Sequence, residues 1–209
     1  MVNMTNKIED VPRLLRLPGA IALRRQMLGE AHIAPLTQYV ESLRAKHPTW
    51  EFQDFDPMDG GVEADMLFLM EKPGPMTSPT GKKQGSGFIS RNNDDPTAEA
   101  TFNFMVAAGI PRKRVVLWNV IPGWNGTISM TVAECRSGVE ELNDLLLLLP
   151  KIKTVVLVGG KAGRAQKLLE GMNLRIFTSA HPSPKVRSIK RAMWDLIPRQ
   201  WEEAYKCCR

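Results

Sequence analysis

Four short apolar runs set the architecture of this chain: residues 64–70 (ADMLFLM), 114–120 (RVVLWNV), 153–158 (KTVVLV) and 174–178 (LRIFT). They are apolar on both faces, and three are rich in β-branched or aromatic residues, as buried parallel strands tend to be. Stretches with helical spacing separate them. "DPTAEATFNFMVAAG" opens on Asp95 as an N-cap with Pro96 behind it and stops at Gly109. "TVAECRSGVEELNDLLLLL" has Thr131 as a candidate cap, "KAGRAQKLLEG" stops at Gly171, and "SIKRAMWDLIPRQWEEAYK" is interrupted at Pro198. Strand–helix alternation of this kind predicts a three-layer α/β/α sandwich around a central, mostly parallel four-stranded sheet.

The chain has 209 residues, 43% hydrophobic and 24% charged, enough for one substantial core. A single domain over 1–209 is expected, with residues 1–60 as its mainly helical N-terminal part and an aromatic-rich connection at Trp50, Phe52 and Phe55. Lys and Arg exceed Asp and Glu by 28 to 22, a +6 balance that mildly favours a polyanionic partner. The cysteines, Cys135, Cys207 and Cys208, are odd in number and lack metal-ligand spacing. That argues for a reducing compartment and against a disulfide scaffold, a zinc site or a cysteine-ligated iron–sulfur cluster. The longest apolar run, LLLLLP at 145–150, is too short to span a bilayer, and the first twenty residues lack a signal-type apolar segment. A cytoplasmic protein without a membrane partner is the expectation.

In open parallel sheets ligands bind beyond the carboxyl ends of the strands, so the residues following each run matter most. The first run leads into Glu71, Lys72, Pro73 and Gly74, the second carries Asn119 near its end, the third enters "GGKAGR" and the fourth reaches His181 in "SAHPSPK". Each has a bland reading. Glu71 and Lys72 can pair with each other; Asn119 can satisfy a strand end, although a buried carboxamide is costly without a partner. "GGKAGR" fits a tight strand–helix turn better than a phosphate loop, since neither the Walker nor the GxGxxG spacing is present. A lone histidine usually makes a satisfied loop hydrogen bond. Here Pro182 and Pro184 stiffen the backbone that presents His181, Ser183 adds a hydroxyl and a backbone N–H, and Lys185 and Arg187 suit phosphate contact.

Taken together these residues resemble the uracil-DNA glycosylase superfamily. "HPSP" (181–184) matches its second motif in full, and "MEKPGP" (70–75) matches its first loosely. "GFIS" (87–90) looks like the segment whose Phe stacks on uracil, and "VVLWNV" (115–120) like the strand whose Asn reads it. The resemblance runs from about residue 64 to the C-terminus. It implies base flipping, Phe88 stacked on the base, Asn119 reading it, and Lys72, Pro73 and Gly74 lining its pocket. His181 would stabilise the departing 2-oxo charge, a carboxylate would orient water, and Ser183, Lys185, Arg187 and Arg91 would hold DNA phosphates.

Two departures stand out. Lys72 occupies the place where many members carry the water-activating Asp or Asn. Glu71, one position earlier, matches the acidic residue of the G-E-x-P-G members, which usually carry cluster cysteines that this chain lacks. Glu71 is therefore the first choice for water activation. Asn92, Asn93, Asp94 and Asp95, soon after Phe88, supply rivals, of which Asp94 is the freer because Asp95 reads as the helix cap. Lys185 stands where many relatives place a leucine that fills the space left by the flipped base, and the Gly- and Lys-rich stretch 77–87 reads equally as a loop closing on DNA or as a plain surface loop.

The implied activity is a monofunctional uracil-DNA glycosylase in base-excision repair. It is a monomer acting on uracil-containing DNA and leaving an abasic site, with no metal or other cofactor; other deaminated or damaged bases stay open as substrates. Two other readings remain: a non-catalytic binder of uracil or abasic DNA on the same fold, and a nucleotide-binding α/β enzyme using "GGKAGR".

Overall fold

A computed structural model describes residues 10–74, 77 and 85–208. Most of the 77–87 stretch lies outside the described residues. In chain order the elements are α1 (Pro18–Gln26), α2 (Ala34–Lys46), β1 (Asp54–Phe55), β2 (Met66–Met70), β3 (Phe88–Ile89), α3 (Pro96–Ala107), β4 (Val115–Asn119), α4 (Val132–Leu147), β5 (Thr154–Val158), α5 (Gln166–Leu169), β6 (Arg175–Ser179), α6 (Pro184–Ile189), α7 (Arg191–Asp195) and α8 (Ile197–Lys206).

The four apolar runs form one parallel sheet in the order β4-β2-β5-β6. β2 and β5 sit inside it, and β2, β4 and β5 are buried almost throughout, whereas β6 is an edge whose Arg175 and Thr178 face solvent. Register aligns the carboxyl ends: Met70 lies opposite Asn119, and Val158 opposite Ser179. Helices cover both faces. On one, Tyr39 of α2 meets Trp118 edge-on at 6.2 Å and donates its hydroxyl to the Glu141 carbonyl of α4 at 2.9 Å. On the other, Trp201 of α8 packs against Phe68 of β2 at 5.0 Å and Phe104 of α3 at 6.0 Å. This is the three-layer sandwich that the alternation predicts.

The caps behave as their chemistry requires. Asp95 Oδ1 accepts from the backbone N–H groups of Thr97 and Ala98, both at 2.9 Å, and starts α3. Thr131 and Glu134 form a reciprocal capping box at the start of α4. Gly109 and Gly171 take the left-handed backbone at which their helical stretches stop. The pair β1–β3 is a second, two-stranded parallel sheet that no periodicity announces, because two residues carry none. It brings Phe55 onto Trp118, ring centroids 3.9 Å apart.

A buried ionic network ties the N-terminal helices to this layer. Asp56 accepts from Arg24 at 2.8 Å and from Arg112 at 2.6 Å, and Arg112 also reaches Asp59 at 2.8 Å. Asp10 binds Arg91 at 2.7 Å and the Asn92 amide at 2.9 Å. Among the described residues no helix is long and apolar enough to cross a membrane.

Candidate active site

The carboxyl ends of all four sheet strands open on one cavity of about 450 Å³. Glu71 follows β2, Asn119 ends β4, Lys161 follows β5 and His181 follows β6; all four line it. Its apolar wall includes Ile89, Pro96, Leu117 and Ile128.

Asn119 is 4% exposed, and its Nδ2 is buried with no hydrogen-bond partner among the described residues. A buried donor left unpaired costs roughly 1–3 kcal/mol, and this one belongs to a residue on the cavity wall. Glu71 and His181 converge over Gly159. A Cβ on Gly159 would lie 2.9 Å from Glu71 Oε1 and 3.1 Å from His181 Cβ, and its φ of +96° also favours glycine. The tight turn after β5 thus makes room for the two side chains. Lys161 Nζ lies 3.6 Å from Glu71 Oε2. Burial lowers the His181 pKa below 6.5; the negative charges of Glu71 and Asp95 oppose that shift and Lys161 adds to it. The imidazole is therefore neutral at pH 7, with one N–H to donate. Asp95 also lines the cavity, and burial raises its carboxyl pKa against the two backbone N–H bonds that lower it.

The family model described as the uracil DNA glycosylase superfamily matches residues 57–203. The chain belongs to that superfamily. No curated protein matches its sequence. Among solved structures, a putative uracil DNA glycosylase from Methanosarcina acetivorans is 16% identical with a TM-score of 0.46, covering 69% of this chain and 91% of that one. The UNG of Nitratifractor salsuginis is 14% identical with a TM-score of 0.41, covering 87% of this chain and 97% of that one. A mimivirus UNG in complex with UGI is 14% identical with a TM-score of 0.40, covering 80% of this chain and 70% of that one.

Within this superfamily member, several residues singled out in the sequence stand elsewhere than expected. Phe88 does not face the cavity. It is 1% exposed and packs with Leu15 and Ala20 in a separate cluster. Neighbours on a strand point to opposite sides, so Ile89 takes the cavity side. Asp94 is also off the cavity, 3.5 Å from Arg13; Asp95, the helix cap, is the acid of this segment that reaches it. Arg91 borders the cavity but offers no surface charge to DNA. It is 5% exposed, bonded to Asp10, and its guanidinium lies 4.8 Å from the Phe102 ring centroid.

Lys72 is likewise committed. Its ammonium, on a side chain 4% exposed, donates to Asn125 Oδ1 at 2.6 Å, the Ser129 carbonyl at 3.2 Å and Glu134 at 3.2 Å. The residue borders the cavity beside Pro73 and Gly74 with its ammonium already engaged by these three partners. Glu134, held by the Thr131 backbone N–H, Asn125 and Lys72, has its pKa lowered to about 2. Ser183 spends its polar groups locally: its N–H donates to the His181 carbonyl at 2.8 Å, and its hydroxyl accepts from Val186 N at 3.4 Å as the cap of α6. Lys185 and Arg187 are exposed beyond it, with Arg187 5.9 Å from the Trp194 ring centroid.

Lys161 and Ile128 also line the cavity although no motif singles them out, whereas Asp95 already stands among the rivals to Glu71 that follow Phe88. The signal for Lys161 was present, because "GGKAGR" occupies the same rim as the three residues that were chosen.

Proposed function

We propose that this chain is a DNA glycosylase that hydrolyses the N-glycosidic bond of uracil flipped out of DNA. The observation that carries this reading is the Asn119 Nδ2, unpartnered among the described residues, in a cavity shared with His181 and a carboxylate. Asn119 Nδ2 donates to the 4-oxo group of uracil and its Oδ1 accepts from the ring N3–H. Cytosine presents the opposite pattern on those atoms, a mismatch of about 1–3 kcal/mol per base contact.

In the reaction the C1′–N1 bond breaks and its electron pair leaves with the base. Negative charge gathers on the 2-oxo group, where the neutral His181 donates its N–H. Water adds to C1′ and passes a proton to a carboxylate, and the uracil anion takes up a proton. Glu71 is the first candidate for that carboxylate. Asp95 replaces Asp94 as its rival, because Asp95 borders the cavity. Ile89 supplies the apolar wall against the base, and Lys185 and Arg187 meet the phosphates outside. Hydrolysis on this plan leaves an abasic site.

The test is a duplex oligonucleotide with one uracil, incubated with the protein and then treated with alkali. Cleavage at that position is the expected outcome. Intact strands at protein excess would overturn the proposal.

A further inference from the structure

Ile128 is a branched apolar side chain 69% exposed at the mouth of the cavity. An exposed isoleucine alone means little. This one is held in place. Lys161 Nζ donates to the Ile128 carbonyl at 3.3 Å, and Lys72 Nζ donates to the next carbonyl, that of Ser129, at 3.2 Å. Lys72 also grips Asn125 at 2.6 Å on the near side of the loop. The Ser129 N–H is tied to Thr127 Oγ1 at 3.1 Å, and the Thr131–Glu134 capping box fixes the exit into α4. Two lysine ammonium groups thus hold the backbone around Ile128 while its side chain stays outside the core.

Such an arrangement suits insertion. Proteins that unstack bases do it with apolar side chains pushed between base steps, and a nucleotide drawn from a duplex leaves a hole that would otherwise collapse or fill with water. A β-branched side chain has little rotamer freedom to lose on entry. The loop after His181 instead presents Lys185 and Arg187, whose charges desolvate poorly between stacked bases. Ile189, 68% exposed at the end of α6, does not line this cavity.

We propose that Ile128, on the loop between β4 and α4, is the wedge that enters duplex DNA and occupies the place vacated by the flipped nucleotide. This rests on the glycosylase reading and adds the element that makes double-stranded substrate accessible. Lys72 and Lys161 are its clamps.

The experiment compares the unaltered protein, Ile128→Ala, Ile128→Leu and Ile189→Ala on one uracil oligonucleotide, single-stranded and paired opposite adenine. A second readout is the fluorescence of 2-aminopurine placed beside the uracil, which brightens when unstacked. Ile128→Ala should lose about tenfold more kcat/KM on the duplex than on the single strand and lose the fluorescence rise. Ile128→Leu should keep most of both, and Ile189→Ala should affect the two substrates alike. Equal losses of Ile128→Ala on both substrates, no loss on the duplex, or a duplex-specific loss in Ile189→Ala would overturn the wedge. If the unaltered protein cleaves neither substrate, the glycosylase reading fails, and the fluorescence arm still decides whether Ile128 unstacks DNA.

Discussion

Lys161 Nζ stands 3.6 Å from Glu71 Oε2, so the carboxylate after β2 is paired with a cation from the turn after β5 and not with its neighbour Lys72. The two lysines divide their work. Lys72 holds Glu134 and the 125–129 loop, and Lys161 joins that loop to the acid in the cavity. Glu71 is thereby aimed, and its side chain, 25% exposed, stays accessible to a water molecule. Because the lysine side chain is 42% exposed, the pair contributes at most about 1 kcal/mol. Lys161→Met should slow uracil release about fivefold, and Lys161→Arg less. Glu71→Gln should cost a hundredfold or more if it is the group that takes water's proton. Single-turnover rates on one oligonucleotide check all three.

Asn119 presents a trade of stability for function. Asn119→Leu removes the unpaired buried donor at nearly constant volume. Its midpoint in thermal unfolding should stay level or rise, with up to about 1–3 kcal/mol of relieved desolvation added to the unfolding free energy. Uracil release should fall on the order of ten- to a hundredfold, since the base loses its hydrogen bonds. A fall in both stability and activity would assign Asn119 to the core alone.

His181 sets a pH dependence. Its pKa is lowered from 6.5 in the folded protein, so between the two values the unfolded chain binds more protons. Its contribution to stability is complete above about 6.5 and is lost as pH falls through the lowered folded value. Urea titrations from pH 7.5 down to about 5 should show this loss, and His181→Gln should reduce it. The same variant keeps an N–H donor, so it should retain more activity than His181→Ala.

Asp95 and Asp94 are separated by one substitution each. Asp95→Asn keeps a good N-cap, so helix stability should change by well under about 1 kcal/mol. If the Asp95 carboxylate assists water or steadies charge on His181, the rate should nevertheless drop tenfold or more. Asp94→Asn, off the cavity, should leave the rate within about twofold. Melting curves and single-turnover rates together distinguish the two.

The sequence by itself determined the layer architecture, because strand length, apolar run and helical period are local properties. Residues 64–70 and 114–120 form β2 and β4 within a residue or two, and the caps at Asp95 and Thr131 form from side chains beside the N–H groups they satisfy. It also determined that Glu71, Asn119 and His181 share one rim, since parallel strands end on the same edge. What only the tertiary structure decided is which side chains turn toward that rim. Phe88 and Ile89 differ by one residue, and pairing with β1 and packing on Leu15 set which of them faces the cavity. Asp94 and Asp95 are split by the direction in which α3 begins. The partners of Lys72 and Lys161 lie far along the chain, and Coulomb attraction depends on distance in space, so charge pairing was settled only when the loops came together.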